Sequence, residues 1–291
     1  MNEYQFTPQA TEDGSYTFYS EEFQEAFHSS FGAKQEAEVR YIEPCGIKQL
    51  ASCRSTIRLL DVCYGLGYNS AAALEAIWSV NPECKVELIA LEISADVPRQ
   101  AIAHNLLDQW KAPVTQLLAE LGNKSLVREK FLIADLLLGD ARQTIQSVVE
   151  RGWQANAIFL DPFSPRKCPQ LWTVEFIDLV VKCLASDGKL ATYSCSAAVR
   201  AALMINGLKI SSINGAGRKS PGTMASFEYK NILSLPKREQ EHLTTCAAIP
   251  YRDRFLDLSP AKIIHQRQQE QEKSELESTS KWRKRWLRSN I

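Results

Sequence analysis

From Ile57 to about residue 229 the chain alternates short apolar runs with helical stretches, and this alternation restricts the fold more than any other feature. Ile57 to Cys63 (IRLLDVC), Lys85 to Glu92 (KVELIALE), a run ending at Leu138, Ala155 to Leu160 (ANAIFL) and Lys189 to Ser194 (KLATYS) have the length and composition of buried strands. Helical patterns separate them, over Asn69 to Ser79, Ser94 to Trp110, from Gly139-Asp140 through Glu150, Thr173 to Leu184, and Ala197 to Asn206. Strands that are apolar throughout, rather than alternating, must be covered on both faces. The pattern therefore predicts an α/β protein with a largely parallel sheet. Leu208 to Ile213 and Ala225 to Tyr229 read as a closing strand pair.

Residues 1–50 form a preface to this domain, which spans 51–260, and residues 261–291 form a tail. In the preface, Glu12-Asp13-Gly14-Ser15 is a turn signal between Tyr4 to Thr7 and Tyr16 to Tyr19, which predicts a β-hairpin. A helix is predicted from Ser20 onward, with Phe23 and Phe27 four apart on one face, and a second over Lys34 to Ile42. In the tail, Gln266 to Ser280 is polar and reads as a solvated helix or linker. Lys281 to Arg288 then holds five basic residues, two tryptophans and no acid. Two readings stand side by side: basic and stacking groups for RNA, or an end helix that packs its tryptophans on the domain.

The 291 residues carry 34 Lys+Arg against 34 Asp+Glu, with 45% apolar and 23% charged. That composition excludes collagen-like, disordered and coiled-coil chains. Zero net charge excludes a globally basic nucleic-acid binder, though not a local basic patch. No apolar run approaches the roughly 18 residues of a membrane span, and the polar start, MNEYQFTPQATEDG, resembles no secretory signal. A cytoplasmic monomer that uses no membrane is expected. The cysteines Cys45, Cys53, Cys63, Cys84, Cys168, Cys183, Cys195 and Cys246 form no CxxC pair and have no histidine nearby. Free thiols in a reducing compartment are expected, and no metal site.

In an open parallel sheet, ligands bind beyond the carboxyl ends of the strands. After the first strand comes Asp61-Val62-Cys63-Tyr64-Gly65-Leu66-Gly67, a G-x-G turn leading into a helix whose first N–H groups are free. The dinucleotide fingerprint needs a third glycine where Ser70 stands, so a nucleoside cofactor without a phosphate fits better, and S-adenosylmethionine is the common one. Glu92 ends the second strand, where a carboxylate can accept from both ribose hydroxyls. Asp140 can accept from an adenine amino group, cap its helix, or do both. With the neighbouring Leu66, Ile93 and Ala141, and with Asp161, these complete the candidate cofactor site. Asp161-Pro162-Phe163-Ser164-Pro165 follows the fourth strand. Two prolines stiffen that loop, and a carboxylate beside an aromatic ring suits an amine nucleophile, so Asp161 and Phe163 are the candidate catalytic pair. Arg166 and Lys167 beside them favour a polyanionic substrate. His28 either edges a pocket or is an ordinary half-buried histidine, whereas His104 lies on a polar helix face and reads as solvated.

DVCYGLGYNS, LEIS, GDAR, DPFSPRKCPQLWT, DGKLATYSCSAAVR and NGLKISSINGAGRKSPG together resemble the MnmC-type tRNA methyltransferases, over roughly residues 12 to 260. The run DPFSP-x-x-CPQLWT is the most specific piece. The resemblance implies a class I S-adenosylmethionine-dependent methyltransferase fold: a Rossmann-like, seven-stranded, mostly parallel sheet ending in a hairpin. It implies cofactor contacts at Gly65, Gly67, Glu92 and Asp140, and an active-site carboxylate at Asp161. The implied reaction is methylation of the exocyclic amine of 5-aminomethyl-(2-thio)uridine at the tRNA wobble position. tRNA is then the partner, with a functional link to the enzymes that make the aminomethyl precursor. His28, Pro162, Arg166, Lys167, Arg218 and Lys219 are the candidate substrate contacts. No oxidase-like sequence follows residue 260, so the methylation step alone is expected. The alternatives are a methyl- or aminopropyl-transferase acting on a small amine, and a non-catalytic tRNA-binding protein of the same fold. An NAD oxidoreductase ranks last, for want of the third glycine.

Overall fold

The structure is a computed structural model that describes residues 7–28, 30, 32–213, 220–228 and 234–289. Its centre is an eight-stranded sheet of β4 (Thr56–Val62), β5 (Lys85–Glu92), β6 (Leu126–Arg128), β7 (Leu132–Leu138), β8 (Ala155–Leu160), β9 (Leu184–Thr192), β10 (Lys209–Ile213) and β11 (Gly222–Ser226), in the order β10-β11-β9-β8-β4-β5-β7-β6. The five strands from β9 to β7 run parallel, and the β10–β11 hairpin closes one edge. The seven expected strands are joined by an eighth, the three-residue β6, antiparallel on the other edge.

The apolar runs are explained by burial on both sides. In β4, Ile57 and Leu59 point into one core and Leu60 and Val62 into the other, following the two-residue period of a strand. The first core is covered by α3 (Ile47–Cys53), α4 (Tyr68–Val80), α5 (Asp96–Ala103) and α6 (Val114–Lys124); the second by α7 (Ala141–Glu150), α8 (Val174–Lys182) and α9 (Ala197–Ile205). The strand order reverses at β4, which pairs with β5 on one side and β8 on the other. The loops after these three strands therefore diverge around one point, where a ligand crevice forms.

The preface differs from the sequence reading in two respects: the hairpin's first strand lies at Pro8–Ala10, after the expected Tyr4 to Thr7, and the expected first helix is replaced by a turn and strand. β1 (Pro8–Ala10) pairs with β2 (Tyr16–Ser20), but the helix expected from Ser20 is absent. Instead residues 21–24 turn, with Gln24 at φ +49°, and the chain returns as β3 (Glu25–Ala26) beside β2. Of the predicted Tyr4 to Thr7 strand, only Thr7 is among the described residues. Farther on, α1 (Ala33–Ala37) runs into a π-helical turn at Glu38–Ile42 and then α2 (Glu43–Cys45), close to the predicted second helix. The helix expected over Ser94 to Trp110 stops at Ala103, because Asn105 takes a left-handed φ of +57°. All eight cysteines are free thiols. Among the described residues no helix is long and apolar enough to cross a membrane.

The tail is docked. In α11 (Pro260–Lys273) Ile263 is buried, and Arg267 donates to the Ile249 and Ala247 carbonyls at 2.6 and 3.0 Å while lying over the Tyr251 ring. In α12 (Thr279–Ser289) Trp282 is only 4% exposed and stacks on His242 of α10 (Lys237–His242), ring centroids 4.6 Å apart. Of the two readings for this segment, the packing one thus holds for Trp282, while the basic side chains beside it stay exposed. Because Trp282 is the buried anchor of a short terminal helix whose ion pairs lie at the surface, Trp282→Ala should release α12 without unfolding the sheet. Limited proteolysis should then cut between residues 274 and 281 at least tenfold faster, with the midpoint of thermal unfolding moved by no more than about 4 °C.

Candidate active site

The turn after β4 is built on two backbone bonds and one carboxylate. Cys63 and Tyr64 both donate their N–H to the Leu91 carbonyl, at 3.0 and 2.9 Å. Glu92 reaches across from the end of β5, one oxygen accepting the Gly65 N–H at 2.8 Å and the other the Ile93 N–H at 2.8 Å. Gly67 sits at φ +83°, and a Cβ there would lie 2.5 Å from the Tyr64 hydroxyl, so the turn requires glycine on both counts. Burial pushes the Glu92 carboxyl up, opposed by these backbone N–H groups.

Asp161 stands opposite, just beyond β8. Tyr41 donates its hydroxyl to Oδ1 at 2.5 Å, and Asn69, in the first turn of α4, donates its amide to Oδ2 at 2.9 Å. Each oxygen is thus aimed by a donor from a different element, which fixes the plane of the carboxylate. Tyr41 comes from the π-helical turn; its hydroxyl is pushed well above the usual tyrosine range by burial and by the Asp161 charge, so it remains a donor. The loop itself is pinned from below: Trp172 donates to the Phe163 carbonyl at 2.8 Å and Tyr193 to the Pro162 carbonyl at 2.9 Å.

The β2–β3 hairpin covers the front. Phe23 stacks on Phe163 at 4.4 Å, Phe27 meets the same ring edge-on at 5.0 Å, and the Ser164 N–H donates to Glu25 at 3.0 Å. One face of Phe163 is therefore taken up by the hairpin, and its ring serves to hold this cover as well as to line the cleft. His28 also lines the cleft, stacked on Tyr68 at 5.0 Å with its backbone N–H on the Thr17 hydroxyl.

Together these residues enclose a cleft of about 300 Å³. Gly65, Leu66, Glu92, Ile93, Asp140, Ala141, Asp161, Pro162 and Phe163 all line it, so most of the residues singled out in the sequence converge. Gly67 shapes the turn from behind. Arg166 and Lys167 lie outside, on an exposed turn, and Arg218 and Lys219 fall outside the described residues. Asp140 caps α7, and its carboxylate is forked by Arg142, whose Nη2 is 2.7 Å away. Burial raises that carboxyl, but the Arg142 bonds outweigh burial and hold it below the usual range. His104 is exposed, its ring edge-on to Phe18 at 5.9 Å. Sequence reasoning missed Tyr41, Asn69, Tyr64 and Tyr193.

The electrostatics of the cleft are one-sided. Glu22, Glu25, Glu36, Glu92, Asp140 and Asp161 line it, and among the described lining residues there is no lysine or arginine. A pyrophosphate would meet repulsion there. A cofactor with a sulfonium and an ammonium group, as in S-adenosylmethionine, would meet attraction, so the residues present fit it.

A parallel sheet reversing at its first strand, a glycine turn bonded to an acid on the second and an acidic cleft beyond them define an S-adenosylmethionine-dependent methyltransferase of class I. Residues 99–228 match a family described as S-adenosyl-L-methionine-dependent methyltransferase. An uncharacterized protein of Methanocaldococcus jannaschii is 33% identical over 274 residues, covering 90% of this chain and 72% of that protein. The crystal structure of MnmC2 from Aquifex aeolicus superposes with a TM-score of 0.81 at 32% identity, covering 94% of this chain and 87% of that one. The tRNA 5-methylaminomethyl-2-thiouridine biosynthesis bifunctional protein MnmC of Acidovorax sp. is 25% identical over 226 residues, 74% of this chain and 34% of that protein. The chain thus spans about a third of the length of such bifunctional relatives. It belongs to the MnmC-type methyltransferase family.

Behind the glycine turn, Asp61 is wholly buried; Oδ2 accepts from Ser70 at 2.7 Å and Oδ1 has no partner. Burial first, and then the charges of Asp161 and Glu92, push its carboxyl up to about 8 against the pull of Ser70. A carboxyl raised on folding holds a proton that the unfolded chain releases. Its contribution to stability is present below the unfolded pKa near 4 and is lost as pH rises toward 8. Urea unfolding between pH 5 and 8 should show stability falling by up to about 1.4 kcal/mol per pH unit, and Asp61→Asn, which keeps the neutral form, should remove most of that slope.

Proposed function

We propose that the protein methylates the exocyclic amine of 5-aminomethyl-(2-thio)uridine at the wobble position of tRNA. The observation that carries this reading is the clamped carboxylate of Asp161 in a cleft lined by acids and devoid of described cations. Such a cleft suits a substrate whose reacting group is an amine. Membership of the MnmC-type family, and the tRNA modification named for the bifunctional relatives, support tRNA as the molecule that carries it.

Bound S-adenosylmethionine supplies an electrophilic methyl group on a sulfonium. The chain's own residues do the placing. The Gly65 turn lets the backbone approach the cofactor without a Cβ, with Leu66 behind it. Glu92, at the end of β5, keeps lone pairs for ribose hydroxyls beyond those given to Gly65 and Ile93. Ile93, 65% exposed at the mouth, and Ala141 supply apolar surface for the adenine, with Asp140 at its edge. Asp161 would hold an N–H of the substrate amine and so orient its lone pair, and, with N–C formation matched by cleavage of the S–C bond whose electron pair stays on sulfur, would take the proton that the methylated ammonium sheds. Phe163 and Pro162 form the wall beside it, and His28 the far rim. Arg166 and Lys167, on their exposed turn, serve the polyanion outside the cleft, and the sequence candidates Arg218 and Lys219 are assigned to the same polyanion.

The test uses tRNA from cells that lack the wobble methylaminomethyl group, methyl-labelled cofactor, and mass spectrometry of the digested nucleosides. Label on 5-methylaminomethyluridine or its 2-thio form supports the reading; label on free small amines alone, with tRNA unlabelled, overturns it. Asp161→Asn should lower kcat by about 10²–10⁴-fold, a far larger effect than the weakening of cofactor binding that loss of one cleft charge brings. Tyr41→Phe should lower kcat by about 10-fold or more with KM for tRNA unchanged, since it removes one bond to the charged carboxylate.

A further inference from the structure

An acidic cleft leaves a polyanionic substrate to be held somewhere else. α12 carries Lys281, Lys284, Arg285 and Arg288 at i, i+3, i+4 and i+7, so they form one stripe about 10 Å long; Arg283 is exposed about 100° round the helix from both Lys284 and the buried Trp282, and the helix holds no acid. Arg285 is committed to Glu277 and Glu241, both at 2.9 Å. Arg283, Lys284 and Arg288 have no acidic partner within ion-pair distance among the described residues. In a chain of zero net charge, such a cluster is a local excess.

Its position follows from a chain of contacts that begins at the catalytic loop. Tyr193 bonds the Pro162 carbonyl, and the Ser194 carbonyl next to it accepts from Thr223 at 2.7 Å. Thr223 in turn accepts from Arg200 at 2.9 Å, and Arg200 pairs with Glu239 of α10 at 2.5 Å. α10 is where Trp282 of α12 stacks on His242 and Arg285 reaches Glu241. The basic helix is thus tied to the carboxyl edge of the sheet, beyond β9 and β11, at the same end as the cleft. Burial and the neighbouring Arg283, Arg200 and Arg238 hold the His242 imidazole below its usual range, consistent with a cationic platform.

We infer that α12 is a docking surface for the phosphate backbone of the RNA whose modified base enters the cleft, with Arg283, Lys284 and Arg288 as its phosphate contacts. This rests on the reading of the cleft given above, and the experiment separates the two. tRNA binding and methylation are measured from about 50 to 200 mM salt, for the full chain and two triple variants. One is Arg283→Ala, Lys284→Ala and Arg288→Ala. The other is Lys85→Ala, Lys130→Ala and Arg151→Ala, which removes three exposed cations from the opposite end of the sheet. The first should raise the Kd for tRNA about 10-fold or more at 0.1 M salt and flatten the plot of log affinity against log salt by roughly two to three units. At saturating tRNA its kcat should match the parent, because the cleft is untouched. The second should change affinity less than about threefold. Equal behaviour of the two variants, with the parent still methylating tRNA, overturns the docking surface and leaves the cleft reading standing. Failure of the parent to bind and methylate tRNA overturns both.

Discussion

Placing Asp61, Glu92 and Asp161 side by side at the end of a parallel sheet, with no cation among the described residues lining the cleft, is the constraint to which the surrounding structure answers. Unpaired buried charge is expensive, and each of the three is treated differently. Glu92 is stabilised by backbone N–H groups, which at the same time fix the glycine turn. Asp161 receives a phenol and an amide. Asp61 has only Ser70 and is pushed toward the neutral form. Backbone N–H groups hold Glu92 and the Arg142 fork holds Asp140, whereas both oxygens of Asp161 are aimed by side chains that carry no full charge, Tyr41 and Asn69.

The preface is part of that arrangement. Tyr41, which reaches Asp161, lies in the turn of π-helix at Glu38–Ile42 that continues the helix from Ala33. Phe23 and Phe27 close the front by packing on Phe163, a contact that covers apolar surface the loop would otherwise expose. A domain cut at residue 50 would lose both the donor to Asp161 and the cover over the cleft. The methyltransferase sheet and its preface are therefore one functional unit, although their sequence patterns are distinct.

Much of this was legible in advance, and the failures have a physical pattern. Gly65, Gly67, Glu92 and Asp161 could be found because an open parallel sheet puts its chemistry immediately after its strands, so position along the chain reports position in space. Tyr41 and Asn69 could not, since Asn69 reads as an ordinary helix start and Tyr41 lies 120 residues from its partner. Phe23 and Phe27 were placed on a helix by their spacing of four, yet the pair is brought to one ring by a four-residue turn instead. Tertiary packing on Phe163 decided that segment over local periodicity. The β6 edge went unread because three residues are too short to show a period.

The distribution of charge lets a protein of balanced composition present opposite signs in two places. The 34 acids and 34 bases cancel only in sum. Carboxylates gather in the cleft, where the proposed reaction would bring a cationic cofactor and an amine together, while Arg283, Lys284 and Arg288 lie exposed on α12. A single field of either sign would fail: an acidic face would repel the polyanion, and a basic cleft would repel the sulfonium and the ammonium. Between the two lie α9 and α10, and beyond a Debye length, about 8–10 Å at ordinary salt, exposed charges of opposite sign are largely screened from one another. On the inference that α12 docks the RNA, docking strength would fall with salt while chemistry in the enclosed cleft would be screened far less, so the two would be separable by ionic strength alone.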